Sequence, residues 1–312
     1  MQGQGEGLNP AHRLVRELSR ILLGKDELLR RVALAVLVGG HVLIEDVPGV
    51  GKTTLAKGLA AVLGAKFRRI QFTPDLLPYD ITGFDVFHPE TRQFEFHPGP
   101  IFAQVVLADE INRATPKVQA ALLEVMEEHQ VTSGSVTRPM EPFFLVLATQ
   151  NPFGTEGTYP LPSAQLDRFF LRLSVGYPDS ASERAVWLQD PGHHLSTLVQ
   201  PSVSVDELLE LRQGLDTVHV SEKLLNLIEA VIGRTRNHPS VLLGLSPRAG
   251  VHLVKAVRAW AWLAGRDFAT ARDVAEIAVD VLAHRLQLRD LGLSAQAVLQ
   301  TVLDEELARH EA

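Results

Sequence analysis

The sequence predicts an α/β protein in two parts: a parallel sheet between layers of helices, then a smaller all-α domain. Three observations carry that prediction. Short apolar runs at 41–45 (HVLIE), 105–108 (VVLA) and 143–148 (FFLVLA) alternate with helical periods, as strands buried on both faces do. A Gly-rich turn at 48–51 links the first of these runs directly to a helical one. After Tyr177-Pro178 the strand-like runs stop and helical periodicity takes over. The chain therefore divides into a first domain over 1–177, a Pro-, Ser-, Gly- and His-rich linker over 178–203, and a helical domain over 204–312.

The elements follow in order. Leu14, Leu18, Ile21 and Leu22 lie at helical spacing, Gly24 interrupts, and the helix resumes over 26–38. The strand at 41–45 leads through the Gly-rich turn to a helix over 53–63, closed by Gly64. Residues 66–72 form a second strand. Residues 80–100 read as irregular, with short alternating pieces (FDVFHP, RQFEFHPG). After the strand at 105–108, Thr115-Pro116 opens a helix whose apolar face is Val118, Leu122, Val125 and Met126. Residues 130–137 alternate about Ser133-Gly134, as a β-hairpin does. Strands at 143–148 and 171–175 complete the sheet. Beyond the linker, Ser204 with Glu207 forms a capping box. Ser221 caps a second helix, Ser246-Pro247 opens a third, and Thr270 with Asp273 opens a fourth.

Composition sets limits. Lys and Arg number 30 against 37 Asp and Glu, a net charge of -7 that disfavours a general polyanion binder. The absence of Cys excludes a disulfide scaffold, a thiolate metal site and a Cys nucleophile. The longest apolar run, 32–44, is broken by Gly39, Gly40 and His41 and falls short of the ~20 residues a membrane span needs. With no apolar leader, the chain reads as cytoplasmic. The 12 histidines show no ligand spacing, and His193-His194 reads as part of a solvated linker.

The chemistry concentrates at Pro48-Gly49-Val50-Gly51-Lys52-Thr53-Thr54, after a strand and opening a helix. Glycines let backbone N–H groups turn onto phosphate oxygens, and the helix N-terminus adds a positive dipole end. Lys52 would meet the β- and γ-phosphates of a nucleotide, and the Thr53 hydroxyl would bind Mg²⁺. The full phosphate-loop pattern wants Gly at 46, where this chain has Asp46. The apolar strand at 105–108 runs into Asp109 and Glu110, which could hold the metal through water and polarise an attacking water. Asn151, at the end of a second apolar strand, could hold that water or the γ-phosphate, and is equally readable as an Asn-Pro turn. Arg248 sits at a helix start, where a cation opposes the dipole; a nearby phosphate would explain it. Arg168 lies between apolar residues at a helix-to-strand junction, where an arginine can stabilise phosphoryl charge, or pair simply with Asp167. Trp260 and Trp262 fall among Val and Ala on a helix and read as core.

These residues, with IEDVPGVGKTTLAK (44–57), QFTPDLLPYDITG (71–83), VVLADEINRATPKVQAALLEVMEEHQVT (105–132), LVLATQNPFGTEGTYPLPSAQLDRF (145–169) and GLSPRAG (244–250), resemble the MoxR-type AAA+ ATPases. This is the helix-two-insert branch that includes magnesium chelatase subunits, and the resemblance spans nearly the whole chain. It implies a P-loop AAA+ core with an α-helical lid. It makes Lys52 and Thr53 Walker A, and Asp109 and Glu110 Walker B. Asn151 becomes sensor one, Arg168 an arginine finger acting on the next subunit's nucleotide, and Arg248 sensor two, reaching from the lid. Residues 84–100 become the helix-two insert and 130–137 the pre-sensor-one hairpin; Arg113 also faces a neighbour. It further implies a ring, favouring a hexamer, that remodels or matures client proteins with von Willebrand factor A domains. A nucleic-acid motor or clamp loader on the same core is disfavoured by the net charge. An ATP-gated scaffold without turnover is disfavoured by the presence of Glu110, Asn151 and Arg168.

Overall fold

The computed structural model describes residues 9–152, 157–189, 199–290 and 292–311. The first part runs α1 (Pro10–Leu18), α2 (Asp26–Val38), β1 (Val42–Glu45), α3 (Lys52–Leu63), β2 (Phe67–Gln71), α4 (Pro78–Thr82), β3 (Gly83–His88), β4 (Gln93–Pro98) and β5 (Val105–Asp109). It continues through α5 (Pro116–Glu128), β6 (Gln130–Ser133), β7 (Val136–Pro139), β8 (Leu145–Gln150), α6 (Ser163–Leu166), β9 (Leu171–Leu173) and α7 (Ser180–Gln189).

Five of these strands pair in the order β2–β5–β8–β1–β9, all parallel, so their carboxyl ends share one edge. Side chains alternate between the two faces and fill two separate cores. Val42, Ile44, Leu145 and Leu147 pack with α1, α2, α3 and the helical region beyond. Leu43, Val106, Val146 and Ala148 pack with α5. The outermost β2 departs from the all-apolar pattern. Its Arg68, Arg69 and Gln71 are exposed, because an edge strand needs covering on fewer sides.

Residues 80–100 are regular where the sequence reading expects irregularity. β3 and β4 form an antiparallel hairpin with Val86 opposite Glu95 and Phe87 opposite Phe94. Strands this short and this exposed lack a clean apolar face, which hides their alternation. The 130–137 hairpin forms as expected, Val131 facing Arg138.

The second part contains α8 (Val205–Gly214), α9 (Glu222–Arg236), β10 (Val241–Leu243), α10 (Pro247–Leu263), α11 (Ala271–Leu282), β11 (Gln287–Leu288) and α12 (Ala295–Glu311). The cap signals hold. Ser204 Oγ accepts the Glu207 N–H at 3.1 Å while Glu207 accepts the Ser204 N–H at 2.8 Å. Ser221 accepts the Leu224 N–H at 3.2 Å, and Ser246 the Ala249 N–H at 3.3 Å. A further helix, α12, and the small β10–β11 ribbon were not legible, and α7 occupies part of the segment read as linker. His193-His194 lies outside the described residues. Trp260 is buried, as expected, with its indole N–H donating to Glu276 at 2.8 Å.

The two parts are bolted together by three arginines, Arg285 buried and Arg212 and Arg31 half-buried. Arg212 of α8 donates to the carbonyls of Leu37 and Val36 at 3.1 and 3.2 Å, capping the last turn of α2. Arg31 pairs with Asp280 of α11 at 2.6 Å. Arg285 pairs with Asp167 at 2.5 Å and donates to the Phe169 carbonyl at 2.6 Å. Among the described residues, no helix is long and apolar enough to cross a membrane.

Candidate functional site

At the carboxyl edge of the sheet, β1 turns sharply into α3. Gly49 and Gly51 hold φ of 87° and 98°, a left-handed backbone that costs a residue with a Cβ about 1–2 kcal/mol. That turn leaves its N–H groups and the α3 dipole facing one cleft. Asp46, where the loop pattern wants Gly, ties the loop down. Its carboxylate accepts from the Gly176 N–H at 2.6 Å, Ser174 Oγ at 2.8 Å and the Val47 N–H at 2.8 Å. Burial pushes the Asp46 carboxyl up, but these hydrogen bonds outweigh it and hold the group below the usual carboxylate range.

Lys52, the first residue of α3, donates from Nζ to the Asp46 carbonyl at 2.7 Å. Burial lowers its ammonium from the ordinary lysine value, against the pull of Asp46, Asp109 and Glu110. The cleft, about 380 Å³, is lined by Lys52, Thr53, Asp109, Glu110 and Asn151 together with Arg69 and Gln71. The parallel pairing of β5 with β8 brings the acids and Asn151 to one side of the loop.

The acids are held firmly. Asp109 Oδ1 accepts the Thr149 hydroxyl at 2.5 Å, and Thr149 in turn accepts the Glu110 N–H at 2.8 Å. Asp109 Oδ2 pairs with Arg69 at 2.6 Å. Glu110 Oε2 accepts from Gln71 at 3.1 Å and from Arg113 at 3.0 Å, so Arg113 is engaged within its own chain. Arg69, Gln71 and Thr149 escape sequence reading. Their role depends on β2 lying beside β5 and β5 beside β8, which no local pattern reports.

A second, more apolar hollow of about 320 Å³ shares Pro48, Gly49, Gly51 and Thr54 with this cleft. Ile21, Leu22, Tyr177, Val186 and Trp187 line it, drawn from the turn after α1, from the last residue of the first domain and, for the last two, from the segment read as linker.

Arg168 and Arg248 are elsewhere. Both converge on Glu127 at the end of α5: Arg168 Nε and Arg248 Nη2 each donate to its carboxylate at 2.6 Å. The bonds from Arg248 and Arg168 hold the Glu127 carboxyl below its ordinary value. They line a hollow of about 220 Å³ with Gly39, Gly40, His41, His252 and Lys255. Gly39 to His41 precede β1, whereas the loop follows it. At ~3.3 Å per residue, the length of β1 sets the two places roughly 15 Å apart, on opposite edges of the sheet. Arg248 is therefore not at its own chain's loop, and Arg168 does not pair with Asp167, which is taken by Arg285.

Comparisons agree with this architecture. The profile of a family described as "ATPase family associated with various cellular activities (AAA)" matches residues 41–171, and that of an AAA lid domain matches 233–305. A Bacillus subtilis (strain 168) protein named YeaC is 43% identical across 96% of this chain and 95% of its own. Chaperone MoxR1 of Mycobacterium tuberculosis is 40% identical across 98% of this chain and 84% of its own. A crystal structure of a Cytophaga hutchinsonii protein superposes with a TM-score of 0.86 at 37% identity, covering 95% of this chain and 94% of that one. With a parallel sheet, a lid, and relatives of this identity over nearly the full length, the chain belongs to the MoxR-type AAA+ ATPases.

Proposed function

We propose that the chain binds Mg²⁺–ATP in the loop cleft and hydrolyses it as the subunit of a ring, coupling turnover to remodelling of client proteins. One observation carries the reading: Arg168 and Arg248 stand together on the edge opposite the cleft, joined through the carboxylate of Glu127. Their distance from the loop, roughly the length of β1, favours a role away from the chain's own phosphates. In a head-to-tail ring that edge would meet the next subunit's cleft. Both arginines would then stabilise phosphoryl charge in trans.

Within the cleft, Pro48, Gly49, Val50, Gly51 and Thr54 shape the backbone cradle, and Lys52 would exchange the Asp46 carbonyl for phosphate oxygens. The hollow lined by Ile21, Leu22 and Tyr177 would take the adenine. Thr53 and Asp109 offer the hard oxygens that fit Mg²⁺, whose charge would neutralise the phosphates. With both Asp109 oxygens already hydrogen-bonded, a contact through water suits it better than direct ligation. Glu110 would draw the proton from an attacking water that Asn151 positions. The relative named Chaperone MoxR1 supports client remodelling as the output. We assign the ring six subunits and the clients a von Willebrand factor A domain on the strength of the family resemblance.

The test pairs binding with turnover. Lys52→Ala should abolish binding of a fluorescent ATP analogue, because the charge that pairs with the phosphates is gone. Wild-type specific activity should rise with protein concentration as rings assemble. Undiminished nucleotide affinity in Lys52→Ala, or activity independent of concentration in a strict monomer, overturns the reading.

A further inference from the structure

The β3–β4 hairpin brings together three metal-ligating side chains that lie seven and two residues apart in sequence, the spacing that makes the histidines read as unrelated. In its register Val86 faces Glu95 and Phe84 faces His97, so His88, Glu95 and His97 emerge on one face while Phe87 and Phe94 emerge on the other. One donor atom from each of the three lies within 4.8 Å of the other two. His88 Nε2 is shielded from solvent. It lies 2.9 Å from Glu95 Oε2, an ion pair only when the ring is protonated, and makes no hydrogen bond. The His97 ring stacks on Phe84, with centroids 6.0 Å apart and planes 16° apart, which limits its rotation.

We propose that His88, Glu95 and His97 form a binding site for a divalent transition-metal ion of the Zn²⁺ class. Two imidazole nitrogens and one carboxylate oxygen suit borderline ions such as Zn²⁺, Co²⁺ or Ni²⁺, not the hard Mg²⁺. Ligands about 2.0–2.2 Å from a tetrahedral ion stand roughly 3.4 Å from one another, so closing from the observed spacing takes only small side-chain rotations. A fourth position stays open to water or to a donor from a partner. Because the ligands come from both strands, the ion would pin the two strands together. None of the three lines the phosphate-loop cleft, so the site is independent of the nucleotide reading.

The experiment uses the full chain, dialysed against a chelator and returned to buffer with excess Mg²⁺. Zn²⁺ is titrated in competition with a chromophoric chelator, and Co²⁺ is added separately to read its visible absorption. We expect one tight equivalent of Zn²⁺ in the wild type and an intense Co²⁺ band of the tetrahedral type. His88→Ala and His97→Ala should each weaken Zn²⁺ at least tenfold and lose the band, while keeping the wild-type far-UV circular dichroism and metal-free urea midpoint, which shows that they are folded. His238→Ala, outside the cluster, should bind both ions as the wild type does. No tight equivalent in the wild type, or equal Zn²⁺ affinity in the wild type and His97→Ala, overturns the proposal.

Discussion

Glu110 holds φ of 57° and ψ of 49°, a left-handed conformation that costs a residue with a Cβ on the order of 1–3 kcal/mol. The neighbouring hydrogen bonds over-determine it: its N–H is taken by Thr149 and its carboxylate by Gln71 and Arg113. The hydrogen bonds from Gln71 and Arg113 keep the carboxylate at the cleft. Glu110→Gln preserves the shape and removes the base. Nucleotide binding should persist while turnover falls by about 10²–10⁴-fold; hydrolysis at the wild-type rate would remove Glu110 from the water-activating role. Thr149 is buried and serves both acids at once. Thr149→Val keeps the volume but strands the Glu110 N–H and one Asp109 oxygen, at a cost of about 1–3 kcal/mol. We expect turnover to drop more than nucleotide affinity in that variant. An unaltered kcat would show that the acids are positioned without Thr149.

At the scale of elements, His41 locks three of them together. Its Nδ1 accepts the Val146 N–H of β8 at 3.0 Å, and its Nε2 bonds the Met126 carbonyl of α5 at 3.2 Å, just before β1. This pattern requires the neutral ring with its proton on Nε2. Burial, aided by the charges of His129 and Arg212, pushes the His41 imidazole down to about 4. The folded value lies below the unfolded one of ~6.5, so the unfolded chain takes up the proton first as pH falls. The stability from His41 is therefore full above pH ~6.5 and is lost progressively toward pH ~4, amounting to about 3 kcal/mol. His252, pushed down to about 3 by burial and by Arg285, and His284, also lowered by burial, act in the same direction. The urea midpoint should fall between pH 6.5 and 5. His41→Gln should flatten that slope, and an identical slope in the variant would assign the dependence to other groups.

For the whole molecule, the opposition of the two sheet edges makes a prediction that separates two arrangements. If both Arg168 and Arg248 serve the neighbouring cleft, each Ala variant should lose turnover by roughly 10³-fold. Each should regain activity when mixed with Lys52→Ala, because some interfaces then join an intact loop to an intact arginine pair. Arg168→Ala mixed with Arg248→Ala should not recover, since every interface lacks one of the two. Recovery in that last mixture would place Arg248 at its own chain's nucleotide and contradict the geometry in which it shares Glu127 with Arg168.

The sequence by itself determined the elements whose signals are local. Gly49 and Gly51 mark a turn that only glycine enters cheaply, the apolar runs at 105–108 and 145–148 can only be buried strands, and Ser204, Ser221 and Ser246 start helices through their own hydroxyls. The loop, Asp109, Glu110 and Asn151 were legible for the same reason: each sits at the end of such an element. Adjacency was not legible. That Arg69 and Gln71 reach the two acids depends on β2 pairing with β5. That Tyr177 and Trp187 face the loop, and that α7 replaces part of a linker, depends on the segment 21–25 after α1 lying beside them. His88 and His97 meet only because a weakly patterned hairpin closes in one register. Above all, the side on which Arg168 stands was decided by β9 running parallel to β1, and that of Arg248 by the docking of the lid, through Arg285 on Asp167 and Arg212 on the end of α2. Helix and turn preferences act over a few residues, whereas strand order and domain docking are settled by which apolar faces bury each other across the whole chain.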